Sequence, residues 1–321
     1  MELPQPLRQA VDRALSGVAL ADLTETAAAL SRRYREERRD GRLHIGTDRD
    51  ALAYLATRLP ATYAAVRAGF AAIAHTRPDF APKTVLDIGA GPGTALWAAA
   101  DSWPGLTDAL LVEASPIFRA WGERLAAEAH LPQTTWLTAD AARDAVDWEP
   151  RDLVTVAYVL NELAPDFRIS VLQRAWRAVA DVLVIIEPGT PAGWQRILAA
   201  RQYLIESGAH VIAPCPHEQA CPLQPPDWCH FAQRVARSRL HRQAKGGEVP
   251  WEDEKFSYVA VARKPGPPKP EARVIAPPRK ASGRITLKLC RSNGSAGEQL
   301  FSRRDGTLFK RAWRCDWGAS L

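Results

Sequence analysis

Residues Val85-Leu86-Asp87-Ile88-Gly89-Ala90-Gly91-Pro92-Gly93-Thr94 constrain this 321-residue chain more than any other segment. An apolar, β-branched run passes into three glycines at alternate positions and then into residues that read as a helix. Glycine adopts left-handed backbone conformations without steric cost, and its missing side chain lets the backbone close on a ligand at the helix N-terminus. Thr94 stands where a dinucleotide-binding fingerprint wants its third glycine, so that reading is excluded.

Around this turn, short apolar strands alternate with helices. Thr84–Ile88, Ala109–Val112, Thr135–Thr138, Leu153–Ala157 and Val182–Ile186 read as strands. Thr94–Ser102, Pro116–Ala129, Phe167–Ala180 and Gly193–Ser207 read as helices, and a last strand over Phe256–Arg263 is expected to close the sheet. Repeated βαβ units predict an α/β fold with a doubly wound, mostly parallel sheet. Before it, residues 1–80 form an N-terminal helical region, with Leu20, Leu23, Ala27 and Leu30 on one face. Its charged stretch from Arg32 to Arg42 mixes six arginines with Glu36, Glu37 and Asp40, the pattern of a solvated helix face. The sheet domain spans 81–263 and carries a Pro-, Cys- and His-rich insertion over 210–251, which ends in a basic helix from Phe231 to about Lys245. Residues 264–283 read as a Pro-rich linker. Residues 284–321 read as a small basic β unit, with Arg284–Leu289, Gln299–Arg303 and Thr307–Arg314 as strands and Asp305-Gly306 as a hairpin turn.

Charge is uneven along the chain. The net +6 divides into +10 from Arg263 onward and −4 before it. Clustered cations gain most by displacing counterions from phosphates, which points to a polyanionic partner. No apolar run reaches membrane-spanning length, so no membrane partner is expected. Met1-Glu2-Leu3-Pro4 resembles neither a secretory signal nor a transit peptide, and the expected location is the bacterial cytoplasm. Nothing in the sequence reads out an oligomeric state.

The first 214 residues contain no cysteine. Cys215, Cys221 and Cys229 then follow at C-x5-C-x7-C spacing in a proline-stiffened loop, the pattern of a thiolate metal site rather than a disulfide scaffold. The tight C-x2–4-C knuckles of structural zinc are absent, and the wider spacing suits an iron–sulfur cluster, with zinc as the alternative. Cys290 and Cys315 are the candidate fourth ligands, ahead of His217 and His230. A cysteine nucleophile at Pro214-Cys215, as in RNA cytosine-C5 methyltransferases, lacks its companions near the fourth and fifth strands.

The glycine turn, with Asp87 ahead of it, resembles the first motif of class I S-adenosylmethionine-dependent methyltransferases. That resemblance implies that Asp87, Gly89, Ala90, Gly91 and Gly93 bind S-adenosylmethionine. It also places Glu113 on the ribose hydroxyls and Asp140 near the adenine. Asn161 and Glu162, after the fourth strand, are the candidate catalytic residues. The Asn/Asp-Pro-Pro-aromatic tetrad of amine methyltransferases is missing there.

A second resemblance covers nearly the whole chain. It rests on the glycine turn, Asn161-Glu162-Leu163, Cys215-Pro216-His217, Cys221-Pro222, Trp228-Cys229-His230-Phe231 and Lys255-Phe256-Ser257-Tyr258. Leu289-Cys290, Arg303-Arg304-Asp305-Gly306 and Asp316-Trp317-Gly318 extend it. Together these are similar to the methyltransferase-like proteins of the mitochondrial small ribosomal subunit and their bacterial relatives. The resemblance implies binding to small-subunit ribosomal RNA in ribosome assembly or translation. It also implies a 4Fe-4S cluster on Cys215, Cys221, Cys229 and Cys290, with Cys315 a bystander. Arg234, Arg237, Arg242 and Lys245 at helical spacing, and Arg303, Arg304, Lys310 and Arg311 about the tail turn, are the expected RNA contacts. Two functions compete: an active S-adenosylmethionine-dependent ribosomal RNA methyltransferase, and a non-catalytic RNA-binding factor that keeps the fold and a structural metal.

Overall fold

The computed structural model describes residues 1–36, 44–127, 129–144 and 146–321, so part of the Arg32–Arg42 stretch lies outside the described residues. Four N-terminal helices come first: α1 (Gln5–Ala14), α2 (Leu20–Arg35), α3 (Asp48–Thr57) and α4 (Leu59–Thr76). A reciprocal cap starts α3, with the Asp50 N–H donating to Thr47 Oγ1 and the Thr47 N–H to Asp50 Oδ2. The apolar α4 buries Tyr63, Phe70 and Ile73 against the sheet.

The sheet follows the predicted alternation: β1 (Thr84–Ile88), α5 (Thr94–Ser102), β2 (Asp108–Glu113), α6 (Pro116–Ala126), β3 (Gln133–Thr138), β4 (Arg151–Ala157), α7 (Pro165–Arg177), β5 (Val179–Pro188) and α8 (Pro191–Glu206). Strands β1 to β5 are parallel, in the order β3-β2-β1-β4-β5. Successive side chains point to opposite faces. Along β1, Val85 therefore joins a core with α4 and α5, while Leu86 and Ile88 join a second core with α7 and α8. Covering both faces is what makes the central strands largely apolar, whereas the edge strand β3 is threonine-rich and half exposed.

Beyond α8 come β6 (His210–Ala213), β7 (Phe231–Ala236), the short α9 (Arg239–Ala244) and the long β8 (Trp251–Ala262). The expected closing strand is not an edge. One side of β8 pairs antiparallel with β5, and its other side pairs with β7 over 251–256 and with β6 over 260–262. The predicted helix from Phe231 to Lys245 is a strand and a short helix. Phe231 and Val235 bury one face of that strand, a four-residue spacing that a helix also allows, and pairing with β8 decides between them.

The C-terminal unit begins earlier than expected. Strands β9 (Ala272–Val274) and β10 (Arg279–Ala281) fall inside the predicted linker and pair with β11 (Arg284–Arg291), which also pairs with β12 (Ala296–Ser302). The expected strand over Thr307–Arg314 is a helix, α10, and no hairpin forms at Asp305-Gly306. Ser302 and Asp305 cap a short turn there, and Ala312 and Phe309, three apart, pack on the β11–β12 core. No helix among the described residues is long and apolar enough to cross a membrane.

Candidate functional site

Two sites emerge: a cleft at the C-terminal ends of the parallel strands and a thiol-lined cavity beside β8. At the first, Gly89, Gly91 and Gly93 have φ of 70°, 56° and 80°, all left-handed. A Cβ on Gly89 would stand 2.5 Å from Val159 Cγ2. The Gly89 and Ala90 N–H groups donate to the Val112 carbonyl at 2.8 and 3.0 Å, which ties the turn to β2. Glu113, ending β2, accepts from the Gly91 and Ser115 N–H groups at 2.7 Å each. Burial raises its carboxyl above the ordinary range, and those two N–H groups oppose the rise.

Asp87 is buried, and Oδ1 accepts from Thr155 Oγ1 at 2.5 Å while Oδ2 has no partner. Burial pushes its carboxyl up to about 7. The buried Thr94 Oγ1 is likewise without a partner. Orphaned polar atoms of this kind are rare in native proteins and mark places where a polar ligand belongs. Asp140 follows β3 at the same edge and is half-buried. Its carboxylate accepts from the Ala142 N–H at 2.8 Å. The sheet register thus gathers Asp87, Gly89, Ala90, Gly91, Gly93, Glu113 and Asp140 along one edge.

The cleft continues past β4. Asn161 is buried, whereas Glu162 is open to solvent though surrounded by protein. That enclosure, then Glu113 and Glu187, raise the Glu162 carboxyl to about 8. Tyr34 of α2 and Tyr54 of α3 lie within electrostatic reach of this carboxylate, and Arg58 stacks over Tyr34 at 5.0 Å. Tyr158 has a φ of 60°, alone among the described non-glycine residues in being positive. Such a conformation costs about 1–3 kcal/mol and persists only where surrounding contacts hold it. Here the Tyr158 N–H donates to Ile186 O at 2.7 Å and the hydroxyl to Glu254 Oε1 at 2.8 Å. Sequence reading missed Tyr34, Tyr54, Arg58, Tyr158 and Glu254, because no motif marks them: Tyr34, Tyr54 and Arg58 come from the N-terminal helical region, while Tyr158 after β4 and Glu254 of β8 meet only through the assembled sheet.

The second site fills the gap left along β8. Because β6 and β7 pair with separate halves of that strand, the loop between them folds over Ser257 and Tyr258. It places Cys215, Cys221 and Cys229 around a cavity of about 40 Å³ that Cys290 of β11 completes. Such a space exceeds what one water needs. Burial and the neighbouring thiols push Cys229 well up and Cys290 to about 12. His217 is buried, with Nε2 at 3.3 Å from Cys290 Sγ and Nδ1 without a partner. His230 does not line the cavity; it stacks on Trp228 and meets Trp317 edge to face. Cys315 lies in the separate β11–α10 core. Among the described residues no three or more His, Cys, Asp or Glu are gathered as a ready site for a single ion. The four thiols enclose a void instead.

The two groups of expected RNA contacts differ. Arg234 pairs with Asp253 at 2.9 Å, and Arg237 and Lys245 pair with Glu252 at 2.7 and 2.8 Å. Together with Arg242 they occupy a strand, a turn and a short helix, so the helical array expected for them does not exist. Arg303, Arg304, Lys310 and Arg311 are exposed about the start of α10.

A parallel sheet in this order, a left-handed glycine turn after β1 and acids after β2 and β3 define a methyltransferase-like Rossmann fold. The chain belongs to the family described as mitochondrial small ribosomal subunit Rsm22, whose sequence profile matches residues 48–321. It is 31% identical over 291 residues to the human ribosome assembly protein METTL17, mitochondrial, covering 84% of this chain and 62% of that one. It is 22% identical over 352 residues to the mitochondrial Rsm22-cox11 tandem protein 2 of Schizosaccharomyces pombe, covering 92% of this chain and 45% of that one. The chain thus spans less than two thirds of the length of either relative. Among solved structures it is similar to the magnesium protoporphyrin IX methyltransferase of Synechocystis with bound SAM. That match has a TM-score of 0.43 and 15% identity, covering 78% of this chain and 100% of that one. The bacterial, cytoplasmic location expected from the N-terminal residues is corrected by these relatives, since the family and both proteins are named as mitochondrial.

Proposed function

We propose that this chain is an S-adenosylmethionine-binding, methyltransferase-like factor that associates with the RNA of the small ribosomal subunit during its assembly. The observation that carries the reading is the buried, half-partnered carboxylate of Asp87 under three left-handed glycines, next to Glu113. These residues fit the cofactor: Asp87 Oδ2 and Thr94 Oγ1 need polar partners, and the glycines leave room at the helix N-terminus. Gly89, Ala90, Gly91 and Gly93 would line the methionine part, with Asp87 beneath it, Glu113 on the ribose hydroxyls and Asp140 by the adenine. When bound, the cofactor supplies an activated methyl group. The chain's own part is to orient an acceptor and exclude water. Tyr34, Tyr54 and Tyr158 wall the cleft, and Glu162, its carboxyl raised by enclosure and by Glu113 and Glu187, stands where it can donate or accept a hydrogen bond. The family description and the name of the human relative support the ribosomal setting.

The thiol cavity fits a 4Fe-4S cluster better than zinc, because a cluster fills a void between separated thiolates whereas one ion needs them convergent. Cys215, Cys221, Cys229 and Cys290 would hold it. Three ligands from the β6–β7 loop and one from β11 would clamp the C-terminal unit to the sheet, and with it the exposed cations at Arg303, Arg304, Lys310 and Arg311.

An active methyltransferase is the second reading, favoured by the solvent-open Glu162 in a cleft that also holds Glu113. Calorimetry with S-adenosylmethionine, crosslinking to cellular RNA and methyl transfer to immature small subunits test both. Failure of the parent to bind the cofactor, with Glu113→Ala behaving alike, would remove the first. RNA crosslinking and cofactor binding without methyl transfer would leave the non-catalytic factor.

A further inference from the structure

Arg201 lies on the buried side of α8, among Ile197, Ala200 and Leu204, and is 3% exposed. A guanidinium is almost never buried without a compensating anion, since removing it from water costs several kcal/mol unless it is paired. Among the described residues Arg201 has no carboxylate within ion-pair distance. One of its Nη atoms donates to the His217 carbonyl at 2.8 Å, and its Nε has no partner. Other buried arginines nearby are provided for. Arg196, on the same helix, pairs with Glu187 at 2.7 Å, and Arg273 donates from Nε to Pro214 O and from Nη1 to Gly318 O, each at 2.9 Å. Arg201 instead lines the cavity with all four cysteines.

We infer that Arg201 is the charge partner of the cysteine site, neutralising the anion that four thiolates and their cluster form and donating its free Nε–H toward a sulfur. The inference rests on the cluster reading and adds to it a positioning residue outside the ligand set. Net charge and hydrogen bonds to the sulfurs set the reduction potential of such a centre. A buried cation favours the reduced, more negative state, so Arg201 raises the potential and slows loss of iron.

The test uses the full chain, reconstituted without oxygen with iron and sulfide, and reads the midpoint potential by spectroscopic titration and the rate of iron release to a chelator. Arg201→Gln is expected to shift the potential downward and speed release about tenfold, the scale at which outer groups act on metal sites. Arg201→Lys keeps the charge without the guanidinium fork and is expected to lie between. A parent that takes up no iron and sulfide sinks the cluster reading and this inference together. A parent that loads, with Arg201→Gln folded and unchanged in potential and release, sinks this inference alone. Should Arg201→Gln not fold, an Arg201→Lys variant identical to the parent in both readouts overturns the hydrogen bond, and one shifted downward supports it.

Discussion

Gly89→Ala tests the cofactor turn at its tightest point. At φ 70° an alanine is held in a left-handed conformation that costs about 1–2 kcal/mol. Its Cβ would stand 2.5 Å from Val159 Cγ2, and relieving that overlap costs a further ~1–3 kcal/mol. The expected destabilisation is therefore about 2–5 kcal/mol in urea denaturation, with S-adenosylmethionine binding abolished because the turn must lift away from β2. The two contributions separate in a double-mutant cycle. Val159→Ala removes the overlapping methyl and leaves the backbone strain, so the double variant should be more stable than the sum of the singles by ~1–3 kcal/mol. Additivity within about 0.5 kcal/mol would refute the steric argument. Full cofactor affinity in Gly89→Ala would refute the assignment of the turn as the binding cradle.

Asp87 makes the cofactor-free protein pH-sensitive. Its carboxyl is raised to about 7 in the folded chain from an ordinary 3.8, so the unfolded chain releases the proton first and stability falls as pH rises between about 4 and 7. Its share is up to about 1.4 kcal/mol per pH unit and should vanish in Asp87→Asn, as denaturation across that range and one unit above it will show. If its carboxylate holds the cofactor's ammonium group, affinity should rise through the same window, and a flat calorimetric profile removes that role. Anaerobic Cys290→Ser should lose iron while Cys315→Ser keeps it, and the reverse result in an iron assay would reassign the fourth ligand. Reversing Arg303 and Arg304 to Glu should weaken RNA binding and reduce its salt dependence, by a slope change of roughly one for each phosphate no longer neutralised. Equal affinities across a salt series would show those arginines to be merely solvated.

Sequence reading reached furthest where structure is decided locally. All five parallel strands and the four helices between and after them were legible to within a few residues, because the central strands are buried on both faces and read as apolar runs, while the edge strand β3 is marked by its β-branched Thr134, Thr135 and Thr138. It failed where one pattern serves two structures. Phe231 to Lys245 carries cations at spacings a helix also satisfies, and only antiparallel pairing with β8, with Asp253 opposite Arg234 and Glu252 opposite Val235, makes its first half a strand. In α10, alternating apolar and basic residues suit a strand as well as a helix, and burial of Ala312 and Phe309 on one core selects the helix.

Local sequence was enough to specify the doubly wound fold, the glycine turn with its acids at the strand ends, and the thiol-rich loop, because these depend on residues within a turn or two of each other. Packing between distant segments settled which cysteine joins that loop, which tyrosines wall the cleft and which buried arginine lines the thiol cavity with its Nε unpartnered. Cys290 and His217 are 73 positions apart in the chain, yet Sγ and Nε2 stand 3.3 Å from each other. What joins them is not strand pairing, since β11 belongs to the separate C-terminal sheet, but the packing of Cys290 and Ile275 from that unit against Trp194 and Leu223, which is fixed by burial between distant segments rather than by any local pattern.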